Sequence, residues 1–193
     1  SRVLDKSEPK YMNTPETLTY SKRRILYGMN LAKKSKRSNI ILCEGNLDVV
    51  TLHQAGFDNA VASMGTALTQ EQLRLLSRYT KELVLCYDND NAGQQATRRA
   101  LELLNNSEFS VKVLQLPRRL VDGEYIKQDA DDFIKFQGPA AFERLLTGSE
   151  NGVEFRLDQI AGKYDLTDDT QRIAYAQEVS EELAKLENAV ERE

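Results

Sequence analysis

Three groups of carboxylates carry the chemical potential of this chain. Glu44 and Asp48 follow the apolar run at 39–43, Asp88 and Asp90 follow the apolar run at 82–87, and Asp129, Asp131 and Asp132 sit together in KQDADDF. Gly45 lies beside the first group and Gly93 beside the second, where the missing side chain lets backbone approach a ligand closely. Asp88 and Asp90 are two residues apart, so in extended chain they share a face. Carboxylate oxygens suit hard cations, and Mg²⁺ commonly keeps substrate phosphates among its ligands. Phosphoryl transfer assisted by one or two metal ions is the chemistry that such groups support. Each group alone has a plainer explanation. An acidic residue after a strand is often a helix N-cap, and DxDxxG also resembles part of a calcium loop. Two groups at the ends of two strands favour chemistry over capping.

The elements that position these residues are legible in the apolar pattern. Segments 39–43, 60–63, 82–87 and 111–116 read as buried strands, and 47–55, 69–79 and 92–104 between them as helices. Thr69, with Gln72 three residues later, predicts a capping box. Strand and helix in alternation predict an α/β fold, a mainly parallel four-stranded sheet with helices on both faces and a helical C-terminal piece. In open sheets of this kind ligands bind beyond the carboxyl ends of the strands, where Glu44, Asp88 and Asp90 fall. Residues 1–17 read as an extended arm, a helix is expected from near Leu18 until Lys36-Arg37-Ser38 breaks the pattern, 117–128 as a polar loop, and TGSENG near 148–152 as a linker. The expected units are a basic arm and linking helix (1–38), a catalytic domain (39–147) and a helical C-terminal subdomain (148–193).

Composition narrows the function classes. With 193 residues, 40% hydrophobic and 29% charged, the chain can bury a core. No apolar run approaches a membrane span, so a cytoplasmic protein without membrane contacts is expected. Cys43, Cys86 and the single histidine His53 offer too few ligands for a structural zinc. His53 reads as structural and the two cysteines as core thiols. Residues 1–38 carry ten Lys/Arg against three Asp/Glu, and the remainder carries 16 basic against 27 acidic side chains. A basic head suits a polyanion, although such runs are often solvated faces.

EGNLDVV (44–50), VASMGTALT (61–69) and YDNDNAG (87–93), in that order, resemble the Toprim domain of bacterial DNA primases of the DnaG type. The likeness extends upstream through PKYMNTPET and KRRILYG and downstream through QLP and DADDF, covering essentially the whole chain. It departs at Asn46, where the family has an aromatic residue, at Asn89, in place of a glycine, and at Ala130, in place of a proline. The resemblance implies a DNA-directed RNA polymerase that makes short RNA primers from NTPs on a single-stranded DNA template in bacterial DNA replication. It implies Glu44, Asp88 and Asp90 as catalytic acids, with Asp48, Asp129 and Asp131 joining them around Mg²⁺ or Mn²⁺. Lys10, Lys22, Gly45, Gly65 and Thr66 would line the nucleic-acid and nucleotide path. It further implies a fragment, inactive or weakly active alone, whose replicative-helicase partner binds a C-terminal domain absent from these residues. Strand cleavage by a Toprim nuclease or topoisomerase, and a non-catalytic nucleic-acid-binding adaptor, are the alternatives.

Overall fold

Four apolar segments form the centre of one sheet in the computed structural model of the chain, which describes residues 15–17, 20–64, 67–105, 107–121 and 123–184. In chain order the first elements are β1 (Leu26–Tyr27), α1 (Met29–Ala32), β2 (Asn39–Cys43), α2 (Asn46–Gln54), β3 (Ala60–Ser63), α3 (Gln70–Leu76), β4 (Glu82–Cys86), α4 (Asn91–Leu104) and β5 (Ser110–Val113). A hairpin of β6 (Arg119–Val121) and β7 (Glu124–Ile126) follows, then α5 (Ala130–Gln137), α6 (Pro139–Thr147), β8 (Glu150–Asn151), α7 (Gly152–Ala161) and α8 (Asp169–Ala184).

The sheet order is β1-β3-β2-β4-β5-β8. Its four central strands are parallel, and the short edges β1 and β8 are antiparallel. The expected four-stranded parallel sheet is therefore the centre of a six-stranded mixed one. Alternate residues face opposite sides of a strand, which divides the core. Leu42, Val61, Leu83, Leu85 and Val113 pack on one side with Leu73 and Leu76 of α3 and Leu101 and Leu104 of α4. Ile41, Ala62, Val84 and Cys86 pack on the other with Val49 and Leu52 of α2, Phe133 of α5 and Phe142 of α6. Burial on both faces explains why these strands read as continuous apolar runs.

Three local expectations are corrected. The helix expected from near Leu18 to the Lys36-Arg37-Ser38 break is interrupted: residues 22–24 are a turn, Leu26 and Tyr27 pair with Ser63 and Ala62, and among the described residues of this stretch only Met29–Ala32 is helical. Gly28 sits at φ 81° between strand and helix, a left-handed conformation that interrupts a helix and that glycine adopts readily. Gln72, buried on α3, donates to the carbonyls of Lys22 and Ile25 (3.0 and 2.9 Å), so the segment is held as a turn. The expected loop at 117–128 contains the β6–β7 hairpin, and the expected linker contains an edge strand, with Asn151 capping α7. The capping box at Thr69 forms as expected, with Gln72 N–H donating to Thr69 Oγ1 at 3.2 Å.

Candidate active site

The chain runs from β2 to one neighbour, β3, and β4 lies on its other side. The carboxyl ends of β2 and β4 thus flank the point where strand order reverses, the usual ligand crevice of an open α/β sheet. Cys43 and Cys86 are register partners at the last rung. Glu44 therefore leaves the sheet level with Tyr87, one residue before Asp88.

Gly45 opens α2, and its N–H donates to Asp48 Oδ2 at 3.0 Å. A Cβ at Gly45 would lie 2.8 Å from that oxygen, so a larger residue there would push the Asp48 carboxylate aside. The other oxygen of Asp48 accepts from the N–H of Asp131 at 3.3 Å, and α5 packs against α2. Both oxygens of Asp48 thus face inward, and burial, with Asp129 and Asp88 nearby, pushes its carboxyl up to about 7. Across the crevice Asp90 caps α4, accepting from Gly93 N–H at 2.8 Å, while its second oxygen meets Lys127 Nζ at 2.6 Å. Lys127, followed by the Gly93 N–H, holds the Asp90 carboxyl below the usual range. Asp88 is pushed up to about 6, first by burial and then by the charges of Glu44, Asp129 and Asp90.

The third acidic group reaches the same edge. Asp129 caps α5, accepting from Asp132 N–H at 2.7 Å. Asp131 is hydrogen-bonded by Thr51 of α2 and by Lys135 one turn along. Burial raises its carboxyl, yet these two bonds bring it below the usual range. One oxygen from each of Asp129, Asp131 and Asp132 lies within 4.8 Å of the others. This all-oxygen set suits Mg²⁺ or Mn²⁺. The repulsion that raises Asp88 is a second sign that the edge is short of positive charge. A cavity of about 430 Å³ adjoins Glu44, with Ser63, Leu68, Tyr87, Ala96 and Arg99 in its walls.

Of the residues expected at the site, Glu44, Gly45, Asp48, Asp88, Asp90, Asp129 and Asp131 converge here. Lys22 lies in the turn bound by Gln72, its N–H donating to Glu16 at 3.0 Å. Lys10, Gly65 and Thr66 lie outside the described residues. His53 bonds the carbonyl oxygen of Ala60 at 2.8 Å, and the cysteines are buried free thiols, both in structural positions. Asn89 donates to the Leu116 carbonyl at 3.1 Å, tying the loop after β4 to the chain beyond β5. The sequence offered Asp132 as a member of the third acidic cluster although the resemblance carried only Asp129 and Asp131 to the site, and it gave no sign of Lys127, which nothing in sequence ties to Asp90.

A Toprim-like family model matches residues 41–134, and the N-terminal domain of the DNA primase catalytic core matches 1–33. The DnaB-helicase binding domain of primase matches 153–193. This last match overturns the expectation that a helicase-binding element is absent; its described part is α7 and the exposed helix α8, which buries no residue of its own. The DNA primase of Clostridium acetobutylicum is 40% identical over 187 residues, covering 96% of this chain and 30% of that protein. A DNA primase domain from Pseudomonas aeruginosa superposes with a TM-score of 0.79 at 33% identity, covering 99% of this chain and 59% of that one. A DnaG primase catalytic domain bound to single-stranded DNA superposes with a TM-score of 0.77 at 31% identity, covering 99% and 61%. The chain thus spans about 30% of the length of its curated relative. By family model, by sequence and by fold, it matches the Toprim-containing catalytic core of the DnaG-type bacterial DNA primases.

Proposed function

We propose that this chain is the Toprim-containing part of a replicative primase, joining NTPs into a short RNA primer on single-stranded DNA in the bacterial cytoplasm at the replication fork. The observation that carries this is the convergence of Glu44, Asp88, Asp90 and the Asp129–Asp131–Asp132 group on one edge beside a cavity with room for a nucleoside. The basic arm and turn (1–38), the Toprim unit (39–147) and the C-terminal helices (148–193) divide the work. The match of 153–193 to a helicase-binding domain supports assigning helicase contact to the last of these.

In the transfer the primer 3′ oxygen bonds to the α-phosphorus of the NTP, pyrophosphate leaves with the electrons of the broken P–O bond, and the hydroxyl proton departs. Asp88, Asp90, Asp129 and Asp132 are assigned to hold Mg²⁺ or Mn²⁺. A divalent cation there supplies Lewis acidity and neutralises charge on the phosphates. Glu44, exposed at the mouth of the crevice, is assigned to accept the proton. Asp48 and Asp131 are bound internally and position the others: Asp48 ties α2 to α5, and Asp131 is tied to α2 through Thr51. The test is primer synthesis by the longer primase polypeptide carrying Asp88→Asn, with Mn²⁺ binding to the 193-residue chain followed by electron paramagnetic resonance. Synthesis should fall by at least about 100-fold and Mn²⁺ affinity should drop. Wild-type synthesis in the variant would defeat the assignment.

A further inference from the structure

The β6–β7 hairpin stands beside the acidic edge and has no part in the chemistry above. Its register pairs Leu120 with Tyr125, Arg119 with Ile126 and Val121 with Glu124. Residues directly opposite each other share a face of the ribbon, so the two faces differ. The Arg119 face turns to α5, where the guanidinium lies 3.6 Å from the centroid of the Phe136 ring. The other face presents Leu120 and Tyr125, which are 58% and 70% exposed. Arg118 precedes this face and Lys127 follows it, both exposed. Lys127 reaches Asp90 at 2.6 Å, so Tyr125 stands two residues, about 7 Å of extended chain, from the residue that touches the acidic crevice.

A two-stranded ribbon is marginal in water on its own. This one spends its outward face on an aromatic and a leucine flanked by cations. Single-stranded nucleic acid is bound by such a combination, bases stacking on aromatic rings while basic groups follow the backbone. The neighbouring site decides which strand. Bases of a primer near its growing end are paired, so the unpaired bases at the edge belong to the template. We infer that the β6–β7 hairpin is a stacking ledge for the unpaired DNA template, with Tyr125 as the platform, Leu120 beside it, and Arg118 as a phosphate contact. This rests on the nucleotidyl-transfer function proposed above and names where its template runs.

The test is fluorescence anisotropy of a labelled oligodeoxythymidylate titrated with the 193-residue chain, in wild type and in Tyr125→Ala, Tyr125→Phe, Leu120→Ala and Arg118→Ala forms. Circular dichroism of each form checks that the fold is kept. Tyr125→Ala should weaken binding by about 5- to 150-fold, equivalent to 1–3 kcal/mol for one stacked base. Tyr125→Phe should bind like wild type, and Arg118→Ala should lower the salt dependence by about one phosphate contact. The chain has no tryptophan, so Tyr125→Trp places a single reporter on the ledge. Its emission should be quenched by the single strand and not by a blunt duplex. Unchanged affinity in Tyr125→Ala, equal quenching by duplex, or concentration-dependent self-association that Leu120→Ala abolishes while leaving DNA affinity intact would each overturn the ledge. None of these readouts requires turnover. Loss of the ledge would leave the Asp88→Asn result standing, and failure of that result would leave the DNA-binding measurement unaffected.

Discussion

Asp48 makes the pH dependence of stability a quantitative test of the acidic edge. Its carboxyl is buried and titrates near 7 in the fold, raised by burial and by Asp129, where an unfolded aspartate titrates at 3.8. Between those values the folded state holds a proton that the unfolded state has released, so stability falls as pH rises. The favourable contribution is complete below about pH 4 and lost as pH passes 7. At about 1.4 kcal/mol per pH unit the full loss is on the order of 4 kcal/mol, of which roughly 3 kcal/mol falls between pH 5 and 8. Asp88, pushed up to about 6, acts in the same direction. The difference between wild type and Asp48→Asn isolates Asp48. The amide cannot accept from both Gly45 and Asp131, which at low pH costs about 1–3 kcal/mol for one buried donor left unmet. Urea unfolding in EDTA from pH 5 to 8 should therefore give a steep wild-type curve and a flatter variant curve, with the two converging or crossing toward pH 8. Mg²⁺ should flatten the wild-type curve by relieving the repulsion. Parallel curves for the two proteins would refute the buried, charge-crowded environment assigned to Asp48.

Two further substitutions probe the crevice from other directions. A Cβ at Gly93 would lie 2.0 Å from the Asp88 carbonyl oxygen, so Gly93→Ala must shift either α4 or Asp88; calorimetry should show a loss of at least about 2–3 kcal/mol, with Mn²⁺ binding weakened as well. Lys127→Ala removes the cation now on Asp90, and isothermal titration should show tighter Mg²⁺ binding than in wild type, because no lysine has to be displaced. Equal or weaker binding would mean that Asp90 is not a ligand.

The central strands were legible because parallel strands buried on both faces leave an unbroken apolar signature, and the site followed from them. Where pattern misled, burial and hydrogen bonding had parted company. Residues 111–116 read as one strand, yet the strand ends at Val113 while Leu114 and Leu116 continue into the core. The apolar residues from Leu18 to Ala32 mimic a helical stripe, but Leu26 and Met29 reach the core from a short strand and a short helix separated by Gly28. TGSENG has the composition of a linker, although Gly152 is a close approach: a Cβ there would meet Leu101 of α4 at 2.8 Å. The hairpin did carry a local signal, Asp122-Gly123 between two short β-prone runs, with Gly123 at φ 85°. Its charged flanks masked that signal. Asp129, Asp131 and Asp132 were visible as neighbouring acids and cluster locally at the start of α5, but their delivery to the edge beside Asp48 and Asp88 depends on α5 docking against α2, a tertiary fact that no local spacing encodes.

The acidic edge is tolerable without a metal because the fold supplies counter-charge from one side only. Lys127 and Lys135 engage Asp90 and Asp131, the carboxylates held below the usual range. Asp48 and Asp88 have no such cation in hydrogen-bonding contact among the described residues and are raised. The proton is thus the alternative to a divalent ion in the interior of the crevice, and lysine is the alternative at its rim. These replacements respond differently to conditions. Protons leave Asp88 and Asp48 between about pH 6 and 7, whereas Lys127 stays charged, its own proton held more firmly by Asp90. Raising pH therefore frees Asp88 as a ligand and adds the charge of Asp48 behind it, without freeing the rim. Metal affinity should rise through this range in wild type and retain that rise in Lys127→Ala, because the proton and the lysine compete at different carboxylates.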